Sequence, residues 1–322
     1  MTVGPYPAPA LATARRLEWQ HLPPLVRAKV EQRVGSPVTS AASQRSGFTP
    51  GFASILTCAD GSRHFVKAAS VKAQGPFAHS YRVETSHLAR LPASVPAPGL
   101  LWVEADDDWV IMATTYVNGT TAARPWRPAE LDALLDSLEE IADTLTPPPP
   151  QMRLDTFADD TADWARCWAG LSVPHSTHHA AQAARMATEA AHHVGGNTVV
   201  HSDVRADNVI IDASGRALVC DWNWAARGAI WLDSVMALLG PRGDGLDVET
   251  VIASRRLLRG VPAESIDSVL ALLTGYFLRS AAAPVPRNSP HLRTHQRWYG
   301  EVAWEWLCER RGWARADGGT GG

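Results

Sequence analysis

The chain has 322 residues, 45% hydrophobic and 20% charged, which is ordinary for a soluble globular protein of one or two domains. Its formal net charge of -3 offers no basic face for phosphate backbones, so nucleic acid is not an expected partner. The four cysteines lack paired spacing, which argues against a zinc site or a disulfide framework and fits a reducing cytoplasm. With no apolar run of about 18 residues and no secretory pattern, neither membrane insertion nor secretion is expected.

The first 35 residues are predicted to form a flexible lead followed by one amphipathic helix. Prolines in the lead remove backbone donors, and nothing there has an apolar face. Apolar residues then recur at helical spacing over residues 22–34, and Gly35 is a suitable stop. The helix is expected to pack on the part of the chain that follows it.

Two short apolar strands within residues 37–57 flank a polar loop that contains Ser46, Gly47 and Gly51. Such a loop can present backbone N–H groups to phosphates, or it can be a plain hairpin turn. Pro50 is unusual in a phosphate-covering loop because it lacks an N–H group. The two interpretations stay open at this point.

Residues 63–69 are predicted to form the third strand of an antiparallel sheet. Lys67 in this strand is either a charged edge residue or an ammonium group that reaches nucleotide phosphates, with Lys72 as a fallback for the second role. Residues 81–91 follow as a helix, on which Glu84 is either an exposed charge or the partner of Lys67.

Residues 100–113 are predicted to form a further hairpin around a solvated turn of three aspartates, Asp106 to Asp108. The segment after it would be a hinge between two lobes. Backbone groups around Met112, Thr114 and Tyr116 could bind the edge of an adenine, an assignment that rests on position alone. From about residue 120 onward the pattern is helical, except in one segment.

That segment, residues 199–222, sets polar side chains into apolar β-branched runs. Two short strands over residues 209–211 and 217–220 are joined by a turn containing Asp212 and Gly215. The hairpin would bring Asn208 next to Asp221, and a short loop would return Asp203 to the same end. A carboxylate for a substrate proton and an Asn/Asp pair for magnesium would then converge.

His201-Ser202-Asp203, followed by Asn208 and by Asp221-Trp222, resembles the catalytic segment of the aminoglycoside phosphotransferase family, which are protein-kinase-like small-molecule kinases. The resemblance extends over residues 205–208, 221–228 and 231–233, which are similar to actinobacterial members with no assigned substrate. The resemblance implies an α+β, bilobal, protein-kinase-like fold. Residues 1–35 would form the lead and helix, residues 36–117 a small antiparallel-sheet N-lobe, and residues 118–322 a larger, mainly helical C-lobe.

The resemblance also implies ATP or GTP with Mg²⁺ in the cleft between the lobes. Asp203 would take the proton of the acceptor hydroxyl, and Asn208 and Asp221 would hold Mg²⁺. Lys67, oriented by Glu84, would reach the nucleotide phosphates.

Other positions would have supporting roles by the same resemblance. The loop with Ser46 and Gly47 would cover the phosphates, and His201 and Asp233 would brace the catalytic loop. Ser202 stands where the family usually has glycine, a departure expected to affect local backbone geometry without removing a functional group.

A small acceptor is expected, because Asp221 and Asp233 are too close in sequence for the long activation segment of protein kinases. If the acceptor is a polyamine antibiotic, carboxylates should line the C-lobe. The candidates are either acceptor-binding groups or ordinary helix-end and surface charges; they are Asp159, Asp160, Asp163, Glu301 and Glu305.

The sequence therefore predicts a kinase that phosphorylates a hydroxyl of an antibiotic-like acceptor such as an aminoglycoside. Choline, a sugar, an amino alcohol or a secondary metabolite are alternative acceptors. A non-catalytic nucleotide-binding module is the alternative from another class, and the presence of Lys67, Asp203, Asn208 and Asp221 together argues against it.

Overall fold

The computed structural model describes residues 14–313 except 45, 46, 48 and 174–176. The first part of the chain forms an antiparallel sheet and the helices packed on it. In chain order its elements are α1 (Pro24–Val34), β1 (Val38–Ser43), β2 (Phe52–Cys58), β3 (Arg63–Ser70), α2 (Gly75–Leu88), β4 (Leu100–Ala105) and β5 (Trp109–Thr115).

The sheet has the strand order β1-β2-β3-β5-β4, so β3 lies at its centre. The predicted helix α1 forms because Pro23 and Pro24 suit a helix start, and it ends at Gly35 in the left-handed conformation. Its residues Val26 and Val30 are buried with Phe52 and other sheet residues in one apolar cluster. The sheet and the helix on its face are as predicted.

Helix α2 begins earlier than the predicted start at residue 81. It starts at Gly75, with Pro76 in the first turn, where a missing N–H group costs nothing. Only Ala78 of the first turn is buried, and Gly75 and Pro76 are typical loop residues, so the start of the helix shows no apolar period.

The second part of the chain is mainly helical, with three-residue and four-residue strands between the helices. Its elements are β6 (Gly119–Thr121), α3 (Pro128–Thr144), α4 (Phe157–Asp160), α5 (Thr177–His193), β7 (Thr198–Val200), β8 (Val209–Asp212), β9 (Ala217–Val219), β10 (Ala226–Gly228), α6 (Leu232–Ala237), α7 (Leu239–Gly243), α8 (Val248–Ser254), α9 (Ala263–Ala281) and α10 (Leu292–Arg311).

Strands β8 and β9 form the predicted hairpin, and β6 pairs with β8. Strand β7, which leads into the catalytic loop, pairs with β10. The sequence did not predict β6, β7 or β10, because three residues are too few to show a strand period. The tryptophans Trp298, Trp304 and Trp306 of α10 are buried in the apolar core, as expected of core aromatics.

Within residues 14–313, apart from the gaps given above, no helix combines the length and apolar character needed to cross a membrane.

Candidate active site

Lys67 lies at the centre of the sheet, paired across the ladder with Ala53 on β2 and Met112 on β5. Its ammonium contacts both carboxylate oxygens of Glu84 on α2, at 2.8 and 2.9 Å. It also donates to Asp221, which follows β9 at the end of the β8–β9 hairpin, the hairpin predicted to be catalytic. Lys67 is only 6% exposed, so it is not a charged edge residue.

The three charged groups shift each other's pKa values. Burial lowers the pKa of Lys67, but the carboxylates of Asp221 and Glu84 outweigh it and leave that pKa raised. Burial raises the pKa of Glu84 to about 7 against the opposing effect of Lys67. Burial also raises the pKa of Asp221, but Lys67 reverses this and leaves it lowered. Lys67 therefore stays cationic and Asp221 anionic at neutral pH.

Asp203 lies in the loop after β7 and is held from two sides. One oxygen of its carboxylate accepts a hydrogen bond from Asn208 Nδ2 at 3.0 Å. The other accepts from Arg205, whose guanidinium also donates twice to Asp207, at 3.1 Å in both cases. Burial raises the pKa of Asp203 to about 6, and Arg205 opposes that rise.

A second set of contacts fixes the backbone of this loop. The carboxylate of Asp233 on α6 accepts the N–H groups of His201 and Ser202, at 2.6 and 2.9 Å. His201 Nε2 pairs with the carbonyl of Cys220 at 2.8 Å, and its Nδ1 accepts the N–H of Asp203 at 3.2 Å. Burial lowers the pKa of His201 to about 4, so the ring is neutral and structural.

Two residues of the loop and hairpin have a left-handed backbone conformation. Ser202 has φ 65°, and Asp221 has φ 66°. The αL region disfavours side chains other than glycine, asparagine and aspartate, which makes Ser202 the more strained of the two. Serine at position 202 was expected to affect the local backbone geometry, and the structure shows that the effect is a strained, left-handed backbone.

The hairpin brings Asn208 and Asp221 together as predicted, since the N–H of Cys220 donates to the carbonyl of Asn208 at 2.9 Å. Because Asn208 uses its Nδ2 on Asp203, its side-chain oxygen is oriented away from that bond. Among residues 14–313, outside the gaps, no group of three or more His, Cys, Asp or Glu could hold a metal. One amide and one carboxylate fit Mg²⁺, which takes few protein ligands and completes its shell with phosphates and water.

Several of these groups line one cavity of about 350 Å³ between the sheet and the hairpin, whereas Asp203 is not among its wall residues. Its walls include Lys67, Glu84, Asn208 and Asp221, and on the side of β5 they include Thr114 and Tyr116. Its other wall residues include Arg16, Gly47, Asp207 and Ile210.

The remaining predicted nucleotide-site positions differ in their placement. Met112 is buried in the sheet core, where it pairs with Lys67 in the ladder. Ser46 lies outside the described residues, whereas its neighbour Gly47 lines the cavity with φ 87°. The fallback Lys72 is on the surface, where it pairs with Asp108 at 2.6 Å.

The five candidate acceptor-binding carboxylates do not line this cavity, and several have other partners. Asp159 belongs to the capping box at the start of α4, where its carboxylate accepts a hydrogen bond from the hydroxyl of the N-cap residue Thr156 at 2.6 Å. Asp163 pairs with Arg166 at 2.6 Å on the surface. Asp160 keeps a raised pKa, because of burial and then of the neighbouring carboxylates of Asp155 and Asp159.

The two glutamates among these candidates, Glu301 and Glu305, lie on α10, and both are partly buried. Glu301 is within 4.0 Å of Arg297 one turn earlier. These contacts are those of ordinary helix charges, and an acceptor-binding role for the five carboxylates stays a prediction.

The sequence reasoning missed two arginines of the site. The spacing of Arg205, two residues from both Asp203 and Asp207, was a signal that such a side chain could bridge them. Arg16 had no such signal, because its neighbours in the cavity are distant in sequence.

A sequence model of the phosphotransferase enzyme family (APH) matches residues 66–264. The match covers more than half of the chain, which therefore belongs to this family of enzymes. A comparison with curated proteins found no match.

Solved structures with the same fold include several small-molecule kinases. A thermostable mutant of the aminoglycoside phosphotransferase APH(4)-Ia, in a ternary complex with ADP and hygromycin B, is 17% identical with a TM-score of 0.57, over 92% of this chain and 99% of that one. The spectinomycin phosphotransferase APH(9)-Ia, in complex with ADP and spectinomycin, is 12% identical with a TM-score of 0.60, over 89% and 98%.

A choline kinase, LicA from Streptococcus pneumoniae, is 11% identical with a TM-score of 0.59, over 88% of this chain and 98% of that one. At these identities the likeness establishes the fold, which is the predicted kinase-like fold.

Proposed function

We propose that the protein is a small-molecule kinase that transfers the γ-phosphate of ATP or GTP to a hydroxyl of an antibiotic-like acceptor such as an aminoglycoside. The observation that carries the proposal is the bond from Lys67 to both Glu84 and Asp221, in the cavity that Asn208 also lines. This contact places a cation that could bind phosphate next to Asn208 and Asp221 of the hairpin, the proposed oxygen ligands of Mg²⁺. Asp203 lies beside Asn208.

The nucleotide would lie in this cavity, with its base near Thr114 and Tyr116 and its phosphates toward Lys67. Asn208 and Asp221 would hold Mg²⁺, which when bound neutralises charge on the phosphates. The donor set suits it, because hard cations prefer amide and carboxylate oxygens to nitrogen or sulfur.

Asp203 would orient the acceptor hydroxyl and take its proton. As the acceptor oxygen forms its bond to the γ-phosphorus, the bond from that phosphorus to the leaving nucleoside diphosphate breaks, and the proton passes to the carboxylate of Asp203. Arg205 and Asn208 keep that carboxylate ionised and in place, since each donates to one of its oxygens. His201 and Asp233 brace the loop without touching the reacting atoms.

The choice of acceptor is supported by the kinds of ligand that the structural relatives bind, hygromycin B and spectinomycin. Asp155, Asp159 and Asp160 form an acidic group in and just before the four-residue helix α4, and a bound ammonium would reduce the mutual repulsion of their carboxylates. The backbone N–H of Arg227 on β10, the partner of the strand that leads into the catalytic loop, donates to the backbone carbonyl of Asp155 at 2.9 Å. A kinase for choline or another amino alcohol is the second candidate, favoured by the likeness to a choline kinase.

The experiment measures ADP and GDP release with Mg²⁺ across aminoglycosides, spectinomycin-like aminocyclitols, choline and neutral sugars. We expect acceptor-dependent release that Asp203→Ala abolishes, and the matched control Asp108→Ala, at an exposed surface pair, should keep it. Binding of Mg-nucleotide without ADP or GDP release in the presence of any acceptor would favour a non-catalytic nucleotide-binding module. Absence of nucleotide binding would refute the kinase.

The same assay tests the acidic group. Asp160→Asn should raise KM for a cationic acceptor and leave KM for a neutral sugar unchanged, because only the cation gains from the carboxylates. If Asp160→Asn has the same KM as the wild type for the cationic acceptor, the acidic group does not bind the acceptor.

A further inference from the structure

The segment before α1 crosses from the helical part of the protein to the sheet. The N–H of Arg15 donates to the carbonyl of Asn288, in the connection between α9 and α10, at 2.9 Å. Two residues further on, Leu17 packs on the apolar cluster of the sheet, as does Trp19, whose ring lies 6.1 Å from that of Phe52. The segment is therefore anchored on both sides of the cavity.

Arg16 lies between these two anchors and lines the same cavity as Lys67, Asn208 and Asp221. Its guanidinium is beside Gly47 in the loop between β1 and β2. A Cβ atom on Gly47 would lie 3.0 Å from Arg16 Nη2 and 3.9 Å from the carboxylate of Asp207. With φ 87°, Gly47 both permits the loop turn and leaves room for the guanidinium.

The charge of Arg16 affects the pKa values of neighbouring groups. Burial raises the pKa of Asp221, and Lys67 and then Arg16 act to lower it. Burial likewise raises the pKa of Tyr81 to about 12, opposed by the same two cations. Arg16 thus belongs electrostatically to the cluster around Lys67, although it comes from the segment before α1.

Beside Mg²⁺, a nucleoside triphosphate in this cavity would gain from a second protein cation, because the charge of Lys67 is offset by its own partners. The ammonium of Lys67 is already shared between the carboxylates of Glu84 and Asp221, and Asp207 adds another negative wall group. The loop that would cover the phosphates contains Pro50, which lacks an N–H group. A planar guanidinium beside this loop can donate two parallel hydrogen bonds to phosphate oxygens.

We propose that Arg16 binds the phosphate chain of the nucleotide, and that residues 14–19 form a strap that holds it over the cavity. The inference rests on the proposed function, because it assumes a nucleoside triphosphate as the ligand. It adds to the site a phosphate-binding residue from outside the sheet and the catalytic hairpin.

The test titrates purified protein with Mg·AMP-PNP and, separately, with adenosine, following binding by calorimetry. Arg16→Ala should weaken Mg·AMP-PNP binding by about tenfold or more, as expected for a lost charge-assisted hydrogen bond, and should leave adenosine binding unchanged. Arg16→Lys should recover part of the loss, because it restores the charge without the fork.

Arg15→Ala is the matched control. It removes the same charge from the neighbouring, exposed side chain and keeps the backbone bond to Asn288, so both affinities should equal those of the wild type. Unchanged or tighter Mg·AMP-PNP binding by Arg16→Ala would overturn the inference, as would an equal loss in Arg15→Ala, which would indicate a general charge effect. These outcomes leave the kinase proposal intact, whereas a wild type that binds no Mg·AMP-PNP would refute both.

Discussion

The surroundings of Asp203 have opposing effects on the charge of its carboxylate. Partial burial disfavours its charge, while Arg205 and Asn208 stabilise it through direct hydrogen bonds. Such a group accepts a proton more readily than an exposed aspartate and still ionises near neutral pH. The residue that the sequence identified as the catalytic group thus depends on Arg205, which the sequence did not identify.

This balance predicts a pH dependence. Because burial raises the pKa of Asp203 to about 6, kcat/KM should fall as pH decreases through about 6, where the carboxylate becomes protonated. Arg205→Gln removes an effect that lowers this pKa, so the acidic limb should move to higher pH. The measurement is the pH profile of kcat/KM, with Arg166→Gln at an exposed surface pair as the control.

Asp233 also has a pKa raised to about 6 by burial, and the same profile separates the two groups. Asp233 accepts hydrogen bonds from the backbone N–H groups of His201 and Ser202, and these two bonds are the interactions that oppose the rise in its pKa. We therefore expect Arg205→Gln to leave the pKa of Asp233 unchanged. An acidic limb that stays in place in Arg205→Gln would assign the limb to a group other than Asp203.

Ser202 offers a second prediction at this scale. Its φ of 65° is costly for serine, and its hydroxyl is buried without a hydrogen-bond partner in the part of the chain that the structure describes. Ser202→Gly should raise the free energy of unfolding by up to about 1 kcal/mol, because strain relief exceeds the entropy cost of glycine. Urea denaturation measures the change.

Ser202→Ala separates the two causes, since it removes the hydroxyl and keeps the backbone strain. Stabilisation by alanine equal to that by glycine would attribute the effect to the buried hydroxyl instead of the backbone.

Among the elements, the short pair β7 and β10 positions the catalytic loop, because β7 ends directly before His201. The backbone of β10 lies close to Gly196, just before β7. A Cβ atom added at Gly196 would lie 2.2 Å from the carbonyl oxygen of Gly228. Its neighbour Gly195 has open space around the same position. Adjacent glycines therefore differ in what they tolerate.

We expect Gly196→Ala to lower the free energy of unfolding by about 2 kcal/mol or more, because the backbone of β10 has to move. Gly195→Ala, the matched control, should change it by less than about 0.5 kcal/mol. Chemical denaturation of both variants checks this, and a similar cost in the two would show that the contact at Gly228 is relaxed easily.

At the scale of the whole molecule, Lys67 joins the two parts of the protein. It leaves the sheet at its central strand, meets Glu84 on α2 and reaches Asp221 at the end of the catalytic hairpin. A ligand bound between these groups contacts both parts and should stabilise them together.

Mg·AMP-PNP at about a hundred times its Kd should therefore raise the free energy of unfolding by about 2.7 kcal/mol. Asp221→Asn should remove the part of this stabilisation that depends on Mg²⁺, because an amide replaces the anionic ligand. Thermal unfolding with and without Mg²⁺ measures the effect, and Asp108→Asn at the surface should behave as the wild type. An equal Mg²⁺-dependent gain in Asp221→Asn would argue that this residue does not bind the ion.

The sequence by itself determined the kinase-like fold and the proximity of Asn208 and Asp221. The fold followed from the resemblance of residues 201–222 to a known family, and the proximity followed from local patterns, namely two short strands and the tight turn between them. The sequence left open whether Lys67 is a surface charge, because one residue in a strand does not reveal what covers it.

Only the tertiary structure decided the features that depend on distant contacts. It buried Lys67 with Glu84, placed Arg16 beside Gly47 and showed that Asp159 and Asp163 already have partners. The physical reason is that a salt bridge or a cavity wall joins residues from separate elements, and no period along the chain records which elements will meet.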